Sequence, residues 1–445
     1  MNNRRTPWII VIVLVLVIIA GTALFLGSGR SAEAPEAAGS LETATSPEAV
    51  GSAEAPGSPE AVGSAEAPGS PEPAGPVAAD VLPKSAEQGR KEMYGPVSVV
   101  ELRGTWREMG RQYGRLMLSE LQDVYAFTEL IVEAQIGNAA KAEKIIRTQT
   151  GQTPYRISEF FEGAAETSGF TVEQLQQINA VERIAGLPQC SAAMVWGDYS
   201  ADSSVVIGRN YDYSDVFAEL YDDVAVTVYH PADGALATAT IGYVGEIYAV
   251  NGINEKGLFL ELNNGKPSAP VSSPNARVTG TTMLFSALFE CDELDDLDLF
   301  FNTVNCSSSY IINTADAARA MSFEWCPVGV KHGEQALPDG LLASTNNYVN
   351  PDWEFPVPTD ETSWYSLTRR SNLIALCEAE KGSIDAEAMR RIIDVSEEDG
   401  GARNELTVYQ IVAEPGTLTI WVRVVHAPQP DWVKIELADR LCPAD

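Results

Sequence analysis

At Cys190 the hydrophobic period of the chain changes, and the change divides the folded sequence into two unlike regions. Upstream, between Val97 and Gly186, apolar residues recur at three and four. Trp106, Met109, Tyr113, Leu116 and Met117 line one face of a predicted helix over 105–120. A second apolar set runs over 121–136, and 171–184 makes a third, with Thr171 as its cap and Gln174 three residues on. Downstream, short β-rich runs dominate at 204–207, 224–229, 258–262, 309–313, 406–412 and 418–425, many of them bounded by Gly, Asn, Asp or Pro. Helical stretches at 281–289, 315–321, 366–380 and 386–395 interleave with them. This mixture predicts an α+β fold of layered sheets and helices.

The first fifth of the 445-residue chain stands apart from both patterns. Arg4 and Arg5 precede an apolar run from Trp8 to Leu26, interrupted only at Gly21 and Thr22. As a helix that run is long enough to cross a hydrocarbon core of about 30 Å. The arginine pair ahead of it, with only Arg30 soon after, directs the N-terminus to the cytoplasm and the rest of the chain outside. Residues 1–30 are therefore expected to be a single-pass transmembrane anchor in the cell membrane, with the body extracytoplasmic. A cleaved signal peptide, leaving the body secreted, is the alternative, although its apolar core is usually shorter. From Ser46 the twelve-residue unit SPEAVGSAEAPG runs twice, over 46–57 and 58–69, before breaking off in SPEPAG. So little apolar surface cannot offset the entropy of ordering, and 31–93 is expected to be a disordered linker that holds a globular head off the membrane. Folded sequence is expected from about Tyr94.

Acidic side chains outnumber basic ones by 62 to 30, a formal net charge of −32, which argues against nucleic acid or an anionic membrane surface as a partner of the body. The cysteines form no CxxC pair, and His230, His332 and His426 have no ligand spacing, so neither a metal nor another cofactor is expected. An extracytoplasmic location permits disulfides, but the spacings reveal no pairing. A homo-oligomer stays open.

The segment Leu187-Pro188-Gln189-Cys190-Ser191 leads directly into a strand candidate, 192–197. After a turn near 201–203, a second strand ends in Gly208-Arg209-Asn210-Tyr211-Asp212. A hairpin of this kind sets its first residue beside its last, so the Cys190 thiol, the Arg209 guanidinium and the Asp212 carboxylate share one small site.

Cys190 followed by Trp196-Gly197-Asp198 and then Gly208-Arg209-Asn210-Tyr211-Asp212 resembles the N-terminal-nucleophile (Ntn) hydrolases of the choloylglycine hydrolase and penicillin V acylase group. The nearest resemblance is to the acyl-coenzyme A:6-aminopenicillanate acyltransferase-like family of linear amide C–N hydrolases. The stretch from Leu102 to Gly114 is similar to the opening of bacterial members. Asn251 to Gly257, Leu262-Asn263-Asn264, Ser344 to Asn347 and Ser366 to Arg370 then follow in the family's order. The resemblance implies a four-layer αββα sandwich, with 94–189 as a helical pro-segment kept as a separate chain after self-cleavage and 190–445 as the catalytic region. It further implies hydrolysis or transfer of acyl groups at linear amide bonds, with a small-molecule acyl amide as substrate. Its oxyanion-hole asparagines and its arginine fall on doublets here, Asn263-Asn264, Asn346-Asn347 and Arg369-Arg370, of which Asn264, Asn346 and Arg370 are taken as the functional members.

A thiol of pKa near 8.5 needs a base to become thiolate at neutral pH, and the chain has no Cys/His signature to supply one. An α-amino group of pKa about 7.7–8.0, freed by cleavage of Gln189–Cys190, lies within reach of the sulfur of its own residue. Asp212 is placed to orient that amine, and Arg209 to favour the thiolate or grip a substrate oxygen. Asn264 and Asn346 supply amide donors for the oxyanion of the tetrahedral intermediate, roughly 3 kcal/mol each. An acyl-thioester forms, and water or an amine takes the acyl group. A papain-like cysteine protease needs a histidine and an amide around the cysteine, which the sequence does not offer. A catalytically dead stalked binding protein suits the anchor and spacer but leaves the cysteine constellation unexplained.

Overall fold

The computed structural model describes residues 89–136, 146, 153–182, 189–271, 279–333 and 338–443. The apolar run at Trp8 to Leu26 and the twelve-residue repeat lie outside them. Among the described residues no helix is long and apolar enough to cross a membrane.

The first described element is a hairpin of β1 (Arg90–Tyr94) and β2 (Val97–Gly104), whose first residues fall inside the stretch read as linker. Thr105 then starts α1 (Trp106–Leu116) through a reciprocal cap: its hydroxyl accepts from the Glu108 amide, and the Glu108 carboxylate accepts from the Thr105 amide at 2.8 Å. The break before α2 (Leu118–Ile136) falls at Met117 rather than after Glu120. Helices α3 (Tyr155–Ser168) and α4 (Val172–Ile178) follow, the latter opened by the expected Thr171–Gln174 capping box.

Past Cys190 come β3 (Ser191–Gly197), β4 (Ser203–Asp212), β5 (Val224–Pro231), β6 (Thr238–Tyr243), β7 (Asn251–Asn254) and β8 (Phe259–Asn264). Helices α5 (Gly280–Glu290) and α6 (Leu294–Thr303) lead to β9 (Tyr310–Ala315), β10 (Ala320–Cys326), β11 (Gly329–His332) and β12 (Leu341–Ser344). The chain closes with α7 (Ser366–Ala379), α8 (Ala386–Asp394), β13 (Thr407–Glu414), β14 (Thr419–Val424), β15 (Val433–Glu436) and α9 (Ala438–Leu441). The helix expected over 315–321 is corrected to a β-hairpin. The Asp316 carboxylate accepts from the amides of Ala318 at 2.7 Å and Arg319 at 2.9 Å, closing a turn that overrides the helical leaning of the alanines.

Two sheets result. The larger has 9 strands in the order β1-β2-β5-β6-β7-β8-β9-β10-β11, and the smaller has 6 in the order β12-β3-β4-β13-β14-β15. Their ladders are antiparallel apart from β2 on β5. One core joins both sheets, with Met194, Ile207 and Ile411 of the smaller among Ile253, Leu260 and Ile312 of the larger. Helices α1, α5 and α6 lie against the larger sheet, and α7 and α8 against the smaller. Under those two helices a second apolar cluster fills the space between Val195, Val206 and Val412 and the side chains of Leu373, Met389 and Ile393. The crossing of α1 with α3 requires glycine. A Cβ on Gly163 falls 2.0 Å from the Arg107 carbonyl oxygen, and one on Gly110 the same distance from that of Phe160.

Candidate active site

The pairing of β3 with β4 sets Ser191 opposite Asn210 and Ala192 opposite Arg209, which brings Cys190 to the end of β4. β12 runs antiparallel to β3 on the other side, with Ser344 opposite Ala192, and so delivers Asn346 to the same end. β13 flanks β4 and places Thr407 against Asp212. Three neighbouring strands thus converge on the one peptide unit that precedes β3.

Cys190 is fully buried. Its sulfur accepts from Arg209 Nη2 at 3.3 Å, and its thiol faces the Asp212 carbonyl at 4.0 Å. The other contacts of Arg209 hold it rigid: Nη1 donates to Asn263 Oδ1 at 2.9 Å, Nη2 to the Leu262 carbonyl at 2.7 Å, and the guanidinium is ion-paired with Glu261. Asp212 Oδ1 accepts from the Thr407 hydroxyl at 2.7 Å, and Oδ2 from Arg369 Nη1 at 3.3 Å and Asn404 Nδ2 at 3.4 Å. Burial pushes the Cys190 thiol up to about 11, against the pull of Arg209 and with the help of the Asp212 charge. Cys190 is therefore a protonated thiol at neutral pH, and it requires a proton acceptor before it can attack as a thiolate. Burial also raises the Asp212 carboxyl, opposed first by Arg369.

Of the six residues expected at the site, the structure brings Cys190, Arg209, Asp212, Asn264 and Asn346 together. Asn346 Nδ2 donates to the Asn264 carbonyl at 3.0 Å. Asn264 Oδ1 accepts from the Lys266 amide, while its Nδ2 is buried with no acceptor among the described residues, a donor available to an oxyanion. The expectation for Arg370 is corrected. Its Nε donates to the Ala343 carbonyl at 3.0 Å, and its charge faces Glu324. The fully buried Arg369 enters the cluster in its place, donating to the carbonyls of Gln189 at 3.0 Å and Cys190 at 3.4 Å and to Asn346 Oδ1 at 2.8 Å.

Glu261 went unnoticed in the sequence, and Asn263 was passed over for its neighbour Asn264. Glu261 and Asn263 sit two residues apart on β8 and so share a face, which was the signal available. Asn263 Nδ2 and Asn313 Nδ2 each donate to the Ser344 hydroxyl at 2.9 Å, tying β8, β9 and β12 together behind Arg209.

A thiol at the head of a strand, a guanidinium on its sulfur and an amide donor without an acceptor in the same cluster fit an enzyme that hydrolyses or transfers acyl groups at amide bonds. The model of the acyl-coenzyme A:6-aminopenicillanic acid acyl-transferase family matches residues 200–425, just over half of the chain. The chain belongs to that family. No curated protein sequence matches it. Among solved structures, an N-acylethanolamine-hydrolyzing acid amidase ortholog from Caenorhabditis elegans is 14% identical, covers 51% of this chain and 93% of its own, and has a TM-score of 0.37. A variant of the conjugated bile acid hydrolase from Clostridium perfringens is 13% identical over 56% of this chain and 92% of its own, with a TM-score of 0.40. Penicillin V acylase from Agrobacterium tumefaciens is 10% identical over 56% and 86%, with a TM-score of 0.35.

Proposed function

We propose that this chain is an autoprocessed cysteine amidohydrolase or acyltransferase that acts on small N-acyl amides through an acyl-thioester on Cys190. Its layers run helix, sheet, sheet, helix, and the N-terminal anchor and linker hold this head outside the cell membrane. The supporting observation is the position of Cys190. It opens β3, Arg209 Nη2 lies 3.3 Å from its sulfur, and its hydrogen-bond partners are Arg209 and the Asp212 carbonyl rather than a histidine. Cleavage of Gln189–Cys190 converts an amide nitrogen into an α-amine of pKa about 7.7–8.0, matched to the proton that the sulfur must lose. Asp212, next to the new terminus, fixes the amine, and Asn264 and Asn346 receive the oxyanion.

The helices ahead of Cys190 stay with the body after cleavage. Glu182 is buried and accepts from the hydroxyls of Tyr211 and, at 2.7 Å, Tyr248, so the end of the pro-segment is anchored in the core. Denaturing electrophoresis with N-terminal sequencing tests the reading. Active material is expected to contain a fragment beginning Cys190-Ser191, and Cys190→Ala to be unbroken and inactive. A fully active alanine variant, or active enzyme with Cys190 in mid-chain, would overturn it.

A further inference from the structure

In the unbroken chain the Arg369 guanidinium straddles the Gln189–Cys190 peptide. Nη2 donates to the Gln189 carbonyl at 3.0 Å and Nη1 to the Cys190 carbonyl at 3.4 Å. The side chain is fully buried and held on every nitrogen: Nε by the Trp364 carbonyl at 3.0 Å, Nη1 by Asp212 at 3.3 Å and Nη2 by Asn346 Oδ1 at 2.8 Å. The Gln189 amide is fixed in turn by the Asp212 carbonyl at 3.0 Å. The backbone is thus held on both sides of the Gln189–Cys190 bond, with a cation on the carbonyl oxygen of that bond. Of the two amide donors assigned to the substrate oxyanion, Asn346 Nδ2 is taken by the Asn264 carbonyl and Asn264 Nδ2 has no acceptor among the described residues, the Gln189 oxygen included.

We propose that Arg369 is the electrophilic catalyst of chain cleavage, stabilising the charge that develops on the Gln189 oxygen when the Cys190 sulfur attacks. This rests on the reading of Cys190 as a self-processed nucleophile and adds a separate duty for the arginine. In the step, a bond forms from Sγ to the Gln189 carbonyl carbon, and the carbonyl electron pair moves onto an oxygen already bonded to Arg369 Nη2. The C–N bond then breaks, and the proton lost by sulfur ends on the Cys190 nitrogen, leaving a thioester and a free amine. Water hydrolyses the thioester to a Gln189 carboxylate and the Cys190 thiol. No oxidant or metal enters the balance. The arginine is preorganised and dehydrated, the condition under which a donor to an oxyanion is worth most.

The test follows the appearance of the fragment beginning at Cys190 in the full chain, for wild type, Arg369→Gln and Arg369→Lys, with folding checked by circular dichroism and gel filtration. Removing the guanidinium is expected to slow cleavage by about 100-fold or more. Lysine, which keeps the charge but cannot span both carbonyls, is expected to be about 10-fold slower than wild type. Hydroxylamine intercepts any thioester that forms. It is expected not to restore cleavage of Arg369→Gln, because the defect precedes the thioester. Cleavage of folded Arg369→Gln within threefold of wild type, or its restoration by hydroxylamine, overturns the proposal. If the glutamine variant does not fold, wild-type cleavage by Arg369→Lys overturns it instead. An unbroken wild-type chain is a different failure, and it removes the reading of Cys190 itself.

Discussion

Glu261→Gln tests the electrostatic frame beneath Cys190. The two side chains are isosteric, so no cavity opens, and the Asn313 amide that donates to Glu261 keeps an acceptor. What disappears is one charge of a fully buried pair with Arg209. Breaking such a pair from one side leaves the other ion uncompensated and costs about 3–5 kcal/mol. For a domain of this size each kcal/mol moves Tm by about 2 °C, so a fall of roughly 6–10 °C is expected by calorimetry or thermal circular dichroism. The same change has a chemical readout. Arg209 Nη2 lies 3.3 Å from the Cys190 sulfur, and without Glu261 its charge acts on that sulfur undiluted. The thiol now held at about 11 is then expected to titrate lower, seen as iodoacetamide alkylation of Cys190 that begins at lower pH. Removing both ions in Glu261→Gln/Arg209→Gln is expected to recover part of the lost stability, since no lone charge remains buried. A single variant that melts within 2 °C of wild type, or whose alkylation moves to higher pH, shows that Glu261 does not balance Arg209 in the folded protein.

Gly163→Ala places a methyl group 2.0 Å from the Arg107 carbonyl oxygen and forces α1 from α3. It is expected to cost about 1–3 kcal/mol in denaturant unfolding, and an unchanged midpoint counts against the close crossing. Asp223 is pushed up to about 8 by burial and by the charges of Asp123, Glu120 and Asp222. A raised carboxyl favours the fold while it is protonated, so its contribution is full below the unfolded value near 3.8 and is lost as pH climbs through about 8. Asp223→Asn is therefore expected to melt several degrees above wild type at pH 9, with the gap closing toward pH 4. A gap that does not change with pH refutes the assignment.

The features legible in the chain were those decided by near neighbours. The cap of α4 is written three residues apart, at Thr171–Gln174, and the structure carries it; the cap of α1, Thr105–Glu108, has the same spacing and was not singled out in the sequence. The meeting of Cys190 with Arg209 and Asp212 needed only a two-strand hairpin, and its register follows from a short turn. The sheet order, by contrast, could not be read off: β5 pairs in parallel with the distant β2, and β13 inserts beside β4 from the far end of the chain. The hairpin at Asp316 replaced an expected helix because turn hydrogen bonds and sheet pairing outweighed the local preference of alanine.

What the sequence by itself determined was the grouping of Cys190 with its two flanking charges and the alternation of helix and strand around them, all set by contacts within a few turns of chain. Only the tertiary structure decided which member of each doublet does what. A helix turns about 100° per residue and a strand reverses its face at every residue, so Arg369 and Arg370, or Asn263 and Asn264, point to different places although they are adjacent in sequence. Which of them meets Cys190 depends on how α7 and β8 dock onto strands that lie far away along the chain. The same docking buried Glu261 beside Arg209 and set Arg369 on the Gln189 carbonyl.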